Sequence, residues 1–198
     1  MRIVAIADTH GICPSLPEGD VLIHAGDGTM LGTLEEANTL DDWFGSLDFE
    51  HIIYVPGNHD FSFEQSAILR NALVLHSMGI MIDGVKFWGS PYAPIFGAWA
   101  FMRSEGSLEY IWQMIPHDTD ILITHGPPYG ILDKTLDGRN VGSTTLRGWV
   151  DTFKPSVHLF GHIHEAFGMI SLDKTFFGNV SIVSEYCQYV NKPLVMNY

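Results

Sequence analysis

The chain has 198 residues, 46% of them hydrophobic and 12% aromatic, enough to bury roughly 70% of the unfolded surface in a single domain without disulfides or other staples. That composition excludes disorder and a linker-rich architecture. A formal net charge of −13 opposes extended DNA or RNA as partners, because each bound phosphate would meet self-repulsion in place of a basic footprint.

The first element is the apolar run at residues 3–7, too short for a signal segment, which reads as a buried strand. A second strand is expected at 21–25, a helix over 33–47 and a third strand at 52–55. Between Gly79 and Gly89, two short runs flank Asp83-Gly84, a turn signal that predicts an antiparallel hairpin. Residues 91–103 read as a loop-like insertion whose Tyr92, Phe96, Trp99 and Phe101 either cover the core, the favoured reading, or stack on a nucleobase. Then come a helix at 107–114, a strand at 121–124, a helix at 143–153 that opens on Ser/Thr and closes before Lys154-Pro155, and a strand at 157–160. Strands alternating with helices, plus one hairpin, indicate an α/β domain over residues 1–198 with mixed sheets. No apolar stretch approaches a membrane span, so a cytoplasmic protein is expected. Cys13 and Cys187 lack Cys-x-x-Cys spacing and read as free thiols.

The five buried strands share one property: side chains with metal-ligand chemistry follow each of them. They run in turn into Asp8-Thr9-His10, Gly26-Asp27, Gly57-Asn58-His59-Asp60, His125-Gly126 and Gly161-His162-Ile163-His164. The C-terminal ends of such strands are where α/β folds place their sites. In extended backbone, residues i and i+2 share a side, so Asp8 with His10, and His162 with His164, are expected to point together. Imidazole, carboxylate and amide donors without thiolate suit Mn, Fe, Co, Ni or Zn better than calcium. Asp8, His10, Asp27, Asn58, His125, His162 and His164 outnumber the needs of one ion. Two divalent ions about 3.5–4 Å apart, bridged by Asp27, are expected, an arrangement suited to in-line phosphoryl displacement. His51, His76 and His117 lack this context, whereas His24 and His158 lie in strands from which they can orient ligands.

The series Asp-x-His, Gly-Asp, Gly-Asn-His-Asp, His-Gly, Gly-His-x-His resembles the calcineurin-like metallophosphoesterase superfamily. VLIHAGD (21–27), GSPYAP (89–94), THGPP (124–128) and VHLFGHIHE (157–165) are similar to its class III, metallophosphoesterase-domain-containing subfamily. The resemblance implies a four-layer α/β/β/α sandwich of two mixed sheets. It gives one ion Asp8, His10, Asp27 and His164, and the other Asp27, Asn58, His125 and His162. It also gives His59 to the chemistry and not to a metal. The protein-phosphatase branch carries Gly-Asp-x-x-Asp-Arg-Gly where this chain has Gly26-Asp27-Gly28-Thr29-Met30-Leu31-Gly32, which disfavours phosphoprotein substrates.

The resulting expectation is a phosphodiesterase acting on small substrates, cyclic nucleotides above all. A hydroxide held between the ions attacks phosphorus, Asn58 and His59 contact the substrate, and His59 is the general acid. Manganese is the expected metal. A phosphomonoesterase, and a non-catalytic metal-binding scaffold of the same fold, are the alternatives.

Overall fold

The computed structural model of the protein describes residues 1–65 and 67–198. The first half of the chain forms β1 (Arg2–Ile6), β2 (Val21–His24), α1 (Leu34–Gly45), β3 (His51–Tyr54), α2 (Phe61–Gln65), β4 (Leu73–Val74), β5 (Met78–Ile82), β6 (Val85–Ser90) and β7 (Ala93–Pro94). The second half adds β8 (Met102–Arg103), α3 (Glu105–Trp112), β9 (Ile121–Thr124), α4 (Thr144–Phe153), β10 (Val157–Phe160), a 3-10 turn at His164–Ala166, β11 (Gly168–Leu172), β12 (Thr175–Asn179) and β13 (Leu194–Asn197).

One sheet has the order β13-β1-β2-β3-β4, and a second has β11-β12-β10-β9-β6-β5. Each has a parallel centre and an antiparallel edge: β13 on β1 in the first sheet, β11 on β12 and β5 on β6 in the second. The central strands are apolar on both faces because both faces are covered. Ile3, Ala5, Ile23 and Ile53 of the first sheet meet Phe87, Ile121, Ile123 and Leu159 of the second between the two sheets. The alternate residues Val4, Ile6, Leu22 and Tyr54 pack outward on Leu40, Trp43 and Phe44 of α1. On the far side, Leu122, Phe160 and Phe177 pack on Trp112 of α3 and on Leu146 and Trp149 of α4. The layers are therefore α/β/β/α, as the resemblance implies.

Local chemistry sets the boundaries. Thr33 caps α1 in a reciprocal box with Glu36, which meets the helix's orphan N–H groups. Ser143 caps α4, and Lys154, left-handed at φ 51°, ends it. Asp83 (φ 50°) and Gly84 (φ 82°) make the hairpin turn with both central residues at positive φ, as the β5–β6 pairing requires. The 91–103 segment is more ordered than a loop, since β7 and β8 pair in parallel within it. Cys13 and Cys187 are free. Among the described residues no helix is long and apolar enough to cross a membrane.

Candidate metal centre

The parallel strands β1, β2, β3, β9 and β10 all end on one rim, and each passes directly into a ligand-bearing loop. The extended geometry expected for the Asp-x-His and His-x-His pairs is not what aims them. Pairing in β1 stops at Ile6, and Asp8 (φ 59°), His10 (φ 45°), Asp27 (φ 55°) and His162 (φ 71°) all adopt left-handed backbone. Side chains at such φ cost roughly 1–3 kcal/mol each and persist where surrounding bonds over-determine them. Those bonds stitch loop to loop: Asp8 N–H donates to the Gly26 carbonyl at 2.8 Å, His10 N–H to Asp27 at 2.9 Å and Gly11 N–H to Gly28 at 2.9 Å. Crossed turns, in place of an extended strand, bring the pairs together.

The structure gathers all seven residues expected as ligands. Donor atoms of Asp8, His10 and His164 lie within 4.8 Å of one another, and so do those of Asp27, His125 and His162. Within the first group, His164 Nε2 is 3.3 Å from His10 Nε2 and 3.7 Å from Asp8 Oδ1. In the second, His125 Nε2 is 3.4 Å from Asp27 Oδ2 and 2.9 Å from Asn58 Oδ1. Asp27 Oδ2 is also 4.0 Å from His10 Nε2. His59 joins His10 and Asp27 within the same 4.8 Å limit.

Backbone carbonyls orient the rings. His125 Nδ1–H donates to Ala25 at 3.0 Å and His164 Nδ1–H to Ser184 at 3.0 Å, so each ring turns Nε2 to the centre, where it presents a lone pair once its proton is displaced. His59 Nδ1–H donates to the Met30 carbonyl at 2.7 Å. Asp60, adjacent to His59 in sequence, faces away from it and clamps the turns behind the site. Its carboxylate accepts from Gly57 N–H at 2.6 Å, Asp27 N–H at 2.9 Å and Thr29 N–H at 2.9 Å.

Among the hydrogen bonds of the described residues, neither His24 nor His158 reaches a candidate ligand side chain itself. Each instead bonds a threonine beside a ligand. His158 Nε2–H donates to Thr124 Oγ1 at 2.8 Å, and that hydroxyl donates to the Gly126 carbonyl at 2.7 Å. His24 Nε2 and Thr9 Oγ1 form the equivalent pair at 2.9 Å. Close approach explains two of the glycines. A Cβ on Gly26 would meet the His125 ring, and one on Gly161 would meet Asp8.

The site is a dense charge cluster. Burial works against the Asp8 carboxylate, yet His164 and His125 bring its pKa down to about 2. Burial likewise opposes ionised Asp27, and His125 with His10 overcomes it, so that Asp27 also titrates below the ordinary carboxylate range. Conversely, burial disfavours charge on His125 and His164, but Asp27 and Asp8 respectively raise each to about 9. Burial and the neighbouring His125 push His162 down to about 3, keeping its ring neutral. Two buried carboxylates that draw protons onto facing imidazoles form a donor set that fits divalent cations, since a cation satisfies the carboxylates and releases those protons. The close Nε2–Nε2 approach of His10 and His164 and the partnerless buried His10 Nδ1 agree with that fit.

The 91–103 aromatics divide. Phe101 is buried and, with partly buried Tyr92, covers the core as expected, whereas Phe96 and Trp99 are 60% and 39% exposed. These two stand at the site instead, with the Trp99 ring 4.5 Å from His59 and the Phe96 ring 5.3 Å from His162.

The model of the calcineurin-like phosphoesterase family matches residues 1–166. The chain belongs to this family. Human metallophosphoesterase domain-containing protein 1 is 35% identical over 231 residues, covering 99% of this chain and 70% of that protein. The Caenorhabditis elegans protein K07C11.7 is 34% identical, covering 98% and 74%. The crystal structure of TT1561 of Thermus thermophilus superposes with a TM-score of 0.60 at 16% identity, covering 99% and 98%, and shares the fold. As a calcineurin-like phosphoesterase with clustered His and Asp donors, the protein is a metal-dependent phosphoesterase. The family match ends before Ser184, although that residue's carbonyl holds His164.

Proposed function

We propose that this calcineurin-like phosphoesterase hydrolyses small phosphodiesters, cyclic nucleotides among them, with two divalent transition-metal ions, manganese being the expected occupant. Asp8, His10, Asp27 and His164 hold one ion; Asp27, Asn58, His125 and His162 hold the other. The observation that carries this reading is the position of Asp27 Oδ2, 4.0 Å from His10 Nε2 and 3.4 Å from His125 Nε2, within reach of both groups as a bridging carboxylate must be. Such a pair of ions activates water at neutral pH and offsets charge on the phosphoryl oxygens.

The protein's own groups do the rest. With Nδ1–H held by Met30, the half-buried His59 ring directs Nε2 towards the His10–Asp27 side. It supplies the proton to the departing oxygen. Asn58 anchors the ion on the His125 side and, with His59, contacts the phosphoryl oxygens.

Charge supports a diester over a monoester. Among the described residues that line the adjoining groove, Arg139 is the one Lys or Arg, and that side chain is held by Asp137 at 2.7 Å. A phosphate carrying one negative charge needs no further cation, whereas the second charge of a monoester would.

Turnover of bis(p-nitrophenyl) phosphate and p-nitrophenyl phosphate, by protein loaded with manganese and checked for two ions per chain, tests the proposal. Preferential diester hydrolysis, extending to a panel of cyclic nucleotides, is expected. Faster monoester hydrolysis overturns the diesterase assignment, and no hydrolysis with both ions bound overturns catalysis itself.

A further inference from the structure

A groove of about 520 Å³ opens beside His162, walled by Pro94, Ile95, Phe96, Val141 and Ile163. Its volume lies in the range of small-ligand sites, roughly 300–1,000 Å³. His162 belongs both to this wall and to the candidate ligand cluster, so a phosphate at the ions sits at the mouth of the groove. Phe96 is 60% exposed and Ile95 61% exposed, leaving two large apolar side chains uncovered beside a polar centre. Arg139 and Thr135 also line the groove, but Asp137 neutralises Arg139, so the groove suits an uncharged group better than a second phosphate.

The other exposed aromatic of the segment stands elsewhere. Trp99 lies against His59, ring centroids 4.5 Å apart and planes at 31°, beside the residue assigned to protonate the leaving oxygen. The two substituents of a diester therefore have different aromatic neighbours.

We infer that the groove binds the substituent retained on phosphorus, that this substituent is a planar uncharged aromatic group, and that Phe96 is the specificity-determining residue that recognises it. The inference rests on the diesterase reading for turnover, but its binding component stands apart from it. Stacking of an aromatic group on Phe96 is worth about a factor of 10.

Bis(p-nitrophenyl) phosphate and methyl p-nitrophenyl phosphate share a leaving group and differ only in the retained arm. The wild-type protein should favour the diaryl ester in kcat/KM, and Phe96→Ala should erase about tenfold of that preference through KM, changing the methyl ester far less than the diaryl ester. Trp99→Ala should lower both substrates together. Equal effects of Phe96→Ala on the two esters, or none on either, overturn the inference. Direct binding of diphenyl against dimethyl phosphate to the manganese-loaded protein gives a readout free of turnover, in which Phe96→Ala should abolish the preference for the diphenyl compound. A preference for diphenyl phosphate without any diester hydrolysis would retire the diesterase reading and keep the groove. Hydrolysis without that preference would do the reverse.

Discussion

Replacing His59 with Asn leaves the seven ligand side chains in place and removes only the group assigned to protonate the departing oxygen. A nitrophenolate leaves readily without a proton, whereas a nucleoside alkoxide does not. His59→Asn should therefore lower kcat on a cyclic nucleotide by about 10²–10⁴-fold, the usual contribution of a general acid, and lower bis(p-nitrophenyl) phosphate hydrolysis far less. Equal losses on both substrates would remove the role. Gly161→Ala acts differently, since its Cβ collides with Asp8 and Ala7. Metal analysis should find binding weakened roughly 10–100-fold at the site proposed for Asp8, the size of effect seen when supporting groups are displaced. All seven gathered side chains were legible in the sequence because ligand chemistry is written in residue type. The partners that orient His125 and His164, and His59 beside them, were not, because the carbonyls of Ala25, Ser184 and Met30 carry no side-chain signal.

At the scale of elements, one carboxylate links α3 to α4. The Glu105 carboxylate accepts from Ser143 Oγ at 3.0 Å, Thr144 N–H at 3.1 Å, Thr145 N–H at 3.2 Å and Thr145 Oγ1 at 2.6 Å. An acidic group from one helix thus meets the orphan N–H groups of the next, where the helix dipole also favours it. Glu105→Ala should cost about 1–2 kcal/mol, read as a lowered urea midpoint at unchanged m-value, with diester hydrolysis by the folded enzyme preserved. The parallel strands β1, β2, β3, β9 and β10 were legible because they are apolar on both faces, whereas β12, interior to the second sheet, was not, its Thr175–Asn179 stretch being interrupted by Thr, Gly and Asn. The edge strands β11 and β13 were not, because exposure leaves Gly168–Leu172 and Leu194–Asn197 without a continuous apolar run. The register of Asp8 and His10 was hidden for another reason: left-handed residues at a strand end leave no compositional trace when they are Asp and His and not Gly.

For the molecule as a whole, acid sensitivity follows from histidines sealed in the core. Burial pushes His158 down to about 3, against about 6.5 for an unfolded histidine. Between those values the unfolded chain takes a proton that the folded one refuses. The folded state is therefore unpenalised above about pH 6.5 and loses stability as pH falls towards 3, by about 1.4 kcal/mol per pH unit for this one residue. His158→Asn, which keeps a donor for Thr124, should flatten the pH dependence of the urea midpoint between about pH 6.5 and 5 in metal-stripped protein. An unchanged slope would show that His158 is not the source.

The two ends of the chain meet in one sheet: β13 lies antiparallel on β1, and the Met1 ammonium donates to the Tyr198 carbonyl at 3.0 Å. Synthesis runs from N- to C-terminus, so one border of the earliest strand stays open until β13 has been made. Ala7, one position before the first acidic ligand, likewise waits for Val180 and Ile182 to close its backbone bonds. The candidate donors Asp8, His10 and Asp27 are therefore made long before His162 and His164, and a partly synthesised chain carries the early donors without the late ones that complete each cluster.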